Sequence, residues 1–428
     1  MMLGVSSSII VQMFEMVFIG QLGTQAVAAI TFTFPLTMAL SSIALGISIG
    51  TSSVIARRVG AGKRSSARRL ATHSLMLVAV LMSALSLCGW LAIVPLFTRL
   101  GAAPETLLLI QSYLDIAFLS FPFLTVMMVA GSVMRANGNA NTPGIAMTTA
   151  SLLNLALDPI LIFGLLGAPR LELAGAAWAL GISRILVCLA LLAYIRRDDM
   201  VQLQAVLRGF AESCRAVLHI GVPAMATQMI GPVSAGIITA LLAQHGEDVL
   251  AGFGIAGRIE AVAVMLLFAL SGSIGPFVGQ NWGAGAKARV RSGVHAAYTF
   301  CVLWGLLACL ALFLFGDALA GMVDDNGAAV ATAATYLAIV PLSYGAWGVL
   351  MMASASFNAL GKPLPSTVLS FCRMFLVYVP LAFAFNRWFG VGGIFAATAI
   401  ANVLLGIAGC LWFRSVFLRP TPASAATA

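Results

Sequence analysis

Asn154 and Asp158 stand four residues apart in SLLNLALDPILIFGLLG (151–167), a stretch otherwise apolar enough for lipid. At helical spacing the amide and the carboxyl share one face. Other ionisable side chains also fall inside long apolar runs: Glu15, Asp115, Arg184, Arg258, Glu260 and Arg373. A charge at the bilayer centre costs about 2.5–3.5 kcal/mol on insertion scales, so each should face protein rather than lipid. Asp115 and Arg373 lie close enough to the end of a run to reach the interface, which is the role expected of them. Arg258 and Glu260 are two apart and point to different faces. With Arg184 they are expected to line a cavity or to join neighbouring helices.

Glu15 and Asp158 invite a chemical reading. A carboxyl removed from water resists ionisation, and a second carboxyl nearby adds to that resistance. Such a pair can take a proton at one face of a membrane and release it at the other when its surroundings change. Pro159 sits next to Asp158 and leaves the Leu155 carbonyl without its usual helical partner, which predicts a bend there.

The elements that must position these groups follow from composition. Of 428 residues, 61% are hydrophobic and 9% charged, with mean hydropathy +1.02. Soluble chains run near one quarter charged, so this chain is read as an all-α membrane protein. Twelve apolar runs are long enough to cross about 30 Å of hydrocarbon. They lie near 2–21, 26–55, 73–98, 107–133, 143–166, 172–195, 214–243, 250–280, 294–320, 328–355, 365–388 and 391–416. With a cytoplasmic N-terminus, seventeen Lys and Arg fall in inner loops and ends, from Arg57 and Arg58 through Lys287 to Arg414 and Arg419. Only Arg99, Arg170 and Arg387 fall in outer ones, a positive-inside pattern. That pattern accounts for the net charge of +9 without nucleic acid.

The chain also repeats. IGTSSVIARRVGAGK (49–63) answers IGPFVGQNWGAGAK (274–287), and MRANGNANTP (134–143) answers FNALGKPLP (357–365). Gly60 with Gly283 and Gly138 with Gly361 share one offset, 223 residues, which predicts two pseudo-symmetric six-helix lobes. The expected division is an N-lobe (1–195), a cytoplasmic linker (196–213) containing a short interfacial helix, a C-lobe (214–417) and a cytoplasmic tail (418–428). At the same offset, the positions of Glu15, Asn154 and Asp158 hold Ile238, Val377 and Leu381. The polar trio is thus confined to one half, as expected of function more than of packing.

Other signals carry no chemistry. VGAGKRS lacks the first glycine of a phosphate-binding loop. The seven cysteines form no CxxC pair, and the four histidines lie near helix ends without metal-ligand spacing. GISIG (46–50) is read as a close helix-packing face.

FEMVFIGQLGTQAVAA, MRANGNANTP, NLALDPILIFG, GAAWA, AGRIEAVAVM and GPFVGQNWGAG, in that order, make the chain resemble the multidrug and toxic compound extrusion (MATE) antiporters over essentially its whole length. The resemblance implies two six-helix lobes around a V-shaped central cavity that opens alternately to each face. It implies a coupling-ion site at Glu15, Asn154 and Asp158, for a proton first and sodium second. Drugs or toxic, often cationic, organic compounds would leave in exchange, drawn by the deprotonated site and by Phe14, Met38, Phe121 and Met128. No cofactor, no metal beyond that sodium and no nucleic acid are expected. The partners expected are a small-molecule substrate and the lipid bilayer, around a monomer in the inner (plasma) membrane with both termini cytoplasmic.

Three features depart from the family pattern. Glu15 stands where Asp is common, Leu180 where a polar Thr is common, and the second lobe offers no carboxylate in TQMIGPVSAGIITA or VPLSYGAWGVL. The chain begins about 14 residues before Glu15, as a shortened reading frame would. Two rival functions remain: a lipid-linked precursor flippase, and an intramembrane enzyme using Glu15 and Asp158 as acid and base.

Overall fold

The computed structural model describes residues 2–99, 101, 103–202 and 207–417; the tail 418–428, with Arg419, lies outside the described residues. Among them there is no strand, and twelve helices account for nearly all of the chain. These are α1 (Met2–Gly20), α2 (Thr24–Gly60), α3 (Arg64–Arg99), α4 (Pro104–Ala136), α5 (Asn141–Phe163) and α6 (Glu172–Arg197). They continue as α7 (Phe210–Ala243), α8 (Glu247–Gly283), α9 (Lys287–Gly321) and α10 (Gly327–Ala359). A last helical run divides at Gly390 into α11 (363–389) and α12 (391–417). Its φ of 57° and ψ of −140° belong to a conformation that only glycine adopts readily, which is why one run becomes two helices.

Several helices outrun the apolar stretches that announce them. α2 and α8 have 37 residues each, about 55 Å at 1.5 Å per residue, against about 30 Å of hydrocarbon. Their ends continue through ARRVG and QNWG, because helix propensity does not stop where apolarity does. α10 is interrupted by the 3₁₀ turn Val340–Ser343, where Pro341 cannot donate to the helical ladder.

The chain forms two compact units, which meet between Met225 and Ala226, inside α7. The division read from the sequence starts the second lobe at 214; in space the first half of α7 packs on α2. A Cβ on Gly46 would come within 2.8 Å of the Gly221 carbonyl, and one on Gly50 would strike the Val217 carbonyl. Glycine at both positions lets the two backbones touch.

Between α6 and α7 the described linker residues, 198–202 and 207–209, are turned, with 203–206 outside the described residues. Asp199 (φ 53°) and Gly209 (φ 73°) are left-handed, and left-handed residues cannot propagate a right-handed helix; the stretch between them, where the expected interfacial helix would fall, includes 203–206, outside the described residues. The linker is fastened to α3. Arg68 pairs with Asp199, and Thr72 Oγ1 donates to the Gln202 carbonyl at 3.0 Å while accepting from its amide at 2.9 Å. His73 Nδ1 lies 2.7 Å from Ser213 Oγ, with the imidazole edge-on to Phe210.

Candidate functional site

In the first unit, α1 and α5 run side by side because small residues let them. A Cβ on Gly4 would stand 2.9 Å from the Gly144 carbonyl, and Ser7 and Ser8 meet Thr148 and Ser151 at 3.4 Å. About three turns further along, at 3.6 residues per turn, Phe18 meets Phe163 edge-on at 6.1 Å. Between those two contacts the helices carry Glu15 and Asp158 into electrostatic reach of each other.

Asp158 is fully buried and Asn154 is 3% exposed. Asn154 Nδ2 donates to Asp158 Oδ2 at 2.9 Å, so the amide orients the carboxyl and occupies one of its oxygens. Asp158 Oδ1 and Asn154 Oδ1 are buried with no protein partner. A buried acceptor left unmatched costs about 1–3 kcal/mol, more when charged, so these two oxygens favour taking up a proton or a cation. Glu15 is half-buried beside them. α5 runs unbroken through Pro159 and ends at Gly164 (φ 75°).

Two residues that the sequence reading did not include in this centre belong to it. Tyr113 of α4 is buried within electrostatic reach of Glu15, Asp158 and Arg184. Ser120, also on α4, accepts a 3.1 Å hydrogen bond from Arg184 of α6 and donates at 2.9 Å to the Ala117 carbonyl. The Arg184 guanidinium lies 5.5 Å from the centre of the Phe121 ring, a cation–π arrangement. The electrostatic neighbours of Arg184 are Tyr113 and Glu15. The centre therefore holds two carboxyls, one guanidinium, an amide and a phenol.

The other residues singled out in the sequence scatter. Phe121 is buried in the core under Arg184, Met128 is half-buried, and Phe14 and Met38 are 47% and 38% exposed. Leu180 is half-buried on α6. Arg258 is exposed, whereas Glu260 accepts a hydrogen bond from Tyr336. Asp115 is exposed and accepts from Trp90 at 2.8 Å. Arg373 does not reach for the interface as expected. It turns into the second unit and donates to Asn402 Oδ1 of α12 at 2.9 Å. Among the described residues, no group of three or more His, Cys, Asp or Glu is placed to hold a metal ion.

The MatE family profile matches residues 1–160 and 223–384. The chain is 35% identical over 412 residues to the FAD transporter of Shewanella oneidensis, covering 96% of this chain and 91% of that one. It is 26% identical over 419 residues to the multidrug export protein MepA of Staphylococcus aureus, covering 96% and 90%. Among solved structures, the MATE transporter VcmN of Vibrio cholerae in its bent form superposes with a TM-score of 0.92 at 30% identity, covering 97% and 94%. An outward-facing multidrug resistance MATE family transporter superposes at 0.91 with 25% identity, covering 98% and 94%.

Proposed function

The chain belongs to the multidrug and toxic compound extrusion family, and from that premise we propose that it exports its substrate by exchange for a proton bound at Glu15, Asn154 and Asp158. It is a multi-pass membrane transporter of small molecules, not an enzyme, and transport by this family calls for no cofactor. The lobes we assign are 1–195 and 214–417, joined by the linker 196–213 and followed by the tail 418–428. The protein acts as a monomer in the cell's inner membrane with both termini cytoplasmic, and nucleic acid is no partner.

The observation that carries the proton reading is the pair of buried, unpartnered oxygens on Asp158 and Asn154 beside the Glu15 carboxyl. A proton satisfies one such oxygen by itself. Sodium wants several oxygens in a fixed cage. Here Leu180 supplies none, and Asp158 Oδ2 is already held by Asn154. The test is probe accumulation in liposomes under a proton gradient with sodium absent; no accumulation there refutes proton coupling.

For the substrate, two chemistries stand. Multidrug export is the function named for MepA, and for this chain we take lipophilic organic cations as the first substrate class. The higher identity to the FAD transporter, 35% against 26%, favours a flavin dinucleotide as a second substrate class. Counterflow of FAD and of ethidium across the same liposomes separates them.

A further inference from the structure

Arg184 is set apart from the other cations of its unit. Every other Lys or Arg up to Arg197 lies in a loop or within five residues of a helix end, whereas Arg184 stands twelve residues past Glu172, where α6 begins. A guanidinium keeps its charge in a protein, and a charge this deep in an apolar helix marks a function with a partner to be named. What holds Arg184 is slight: a hydrogen bond to Ser120 Oγ at 3.1 Å and the Phe121 ring, 5.5 Å away. Among the described residues it makes no ion pair and no other hydrogen bond, although Glu15 is in electrostatic reach.

The seat itself requires no charge, because the second unit builds it again without one. Tyr336, Val340, Ser343 and Tyr344 stand 223 residues after Tyr113, Ala117, Ser120 and Phe121. Ser120 donates to the Ala117 carbonyl at 2.9 Å, just as Ser343 does to Val340 at 2.8 Å. On the sixth helix of each unit the offset is 218, with Gly175 against the backbone of Leu161 and Gly393 against that of Phe385. In that register Asn402 takes the place of Arg184, and its Nδ2 donates to Ser343 at 3.0 Å. A neutral amide thus does the packing work of the guanidinium. The charges of the two units come from different helices. The first brings its acids on α1 and α5 and its base on α6; the second brings Glu260 on α8 and Arg373 on α11.

The charge must therefore serve its neighbours. The ionisable groups facing Glu15 are Asp158 from α5, Tyr113 from α4 and Arg184 from α6; α2, which also packs on α1, carries none between 24 and 56. With one proton between them, Glu15 and Asp158 hold a single negative charge, and Arg184 brings the sum to zero. Take Arg184 away and the same state is an uncompensated anion among apolar helices, a costly arrangement that draws in a cation from solution. Oxygens for such a cation are at hand in Asp158 Oδ1 and Asn154 Oδ1, both buried without a protein partner.

We propose that Arg184 is a tethered stand-in for a metal cation: a resident positive charge that balances Glu15 and Asp158 and so determines that this site exchanges protons and not sodium. Uptake places a proton from water on a carboxylate oxygen, and release returns it; the guanidinium keeps its own protons throughout. Ser120 and Phe121 hold that charge on α6, where it stays with the protein in every step of the cycle. The proposal rests on the proton reading of the first-unit centre and names the residue that makes it a proton site.

Sodium-dependent thermal shifts of the full-length protein in detergent test it, with choline as the control cation and no substrate needed. Arg184→Met removes the charge and adds no oxygen, so a sodium site gained by it comes from the lost charge alone. We expect its unfolding equilibrium to shift about tenfold at sodium about ten times the dissociation constant, and Asp158→Asn in the same background to abolish that shift. Wild type and Arg184→Lys, which keep the charge, should show no such shift. A sodium-indifferent Arg184→Met overturns the proposal, as does a sodium shift in wild type or Arg184→Lys that Asp158→Asn removes. Should Arg184→Met not fold, Arg184→Asn, which carries the residue of the second unit's seat, decides by the same readings. The proton reading fails separately, when wild type accumulates no probe under a proton gradient with sodium absent.

Discussion

Replacing Asp158 by Asn removes one ionisable group at almost constant volume. Asn154 Nδ2 now donates at 2.9 Å to Asp158 Oδ2. An amide oxygen at position 158 accepts that bond as well, so the packing of α5 on α1 has no reason to change. The unpartnered Oδ1 becomes an NH₂, which exchanges one unmatched group for another. We therefore expect thermal stability within about 1 kcal/mol of wild type. The effect on coupling is larger. One proton moving down a gradient of about one pH unit releases about 1.4 kcal/mol, enough for a tenfold accumulation of an exchanged solute. With one exchangeable proton at the Glu15–Asp158 pair, liposomes acidic inside by about one unit should concentrate ethidium or FAD up to about tenfold. Asp158→Asn should bring that ratio to about one, while equilibrative probe exchange at equal pH persists, since the fold is intact. Accumulation by Asp158→Asn at the wild-type ratio refutes the assignment of the coupling site.

Leu381→Met, at the repeat-equivalent of Asp158, should leave that accumulation ratio unchanged in the same liposomes. A sodium gradient alone, with equal pH and no membrane potential, should drive no uphill export; substantial uphill export would overturn proton coupling. Gly46→Leu forces a side chain into the α7 backbone, 2.7 Å from Met225 N at its first atom. It should cost about 1–3 kcal/mol, read as a lowered melting temperature in detergent.

Much of the fold was legible because the membrane makes hydropathy decisive. All twelve runs correspond to helices, including the pair divided at Gly390. What hydropathy misjudges is where helices end, as α2 continues through Arg57 and Arg58 into the basic loop. The Asn154–Asp158 contact was legible for a similar reason. Two polar residues four apart in an apolar run have few other ways to be satisfied, and the helix brings them to 2.9 Å. Tyr113 and Ser120 were not legible, since each is ordinary in a membrane helix and gains meaning only from Arg184 and Glu15 across the unit. The second-unit centre was hidden by comparing equivalent positions. Ile238, Val377 and Leu381 are indeed aliphatic, but the second unit draws its acid and base from other helices. Arg373 was misplaced because distance from a helix end says nothing about an acceptor on the neighbouring helix.

The shared seat of the two units has a historical consequence. A chain made by doubling a six-helix ancestor starts with two identical copies, each carrying the tyrosine, the serine and the close glycine contact. Those features survive in both halves at Tyr113 and Tyr336, Ser120 and Ser343, Gly175 and Gly393. The carboxyls and guanidinia do not repeat, so one backbone seat accommodates charge placed on different helices. Descendants of the same doubling can then differ in which copy holds an acid while remaining superimposable helix for helix.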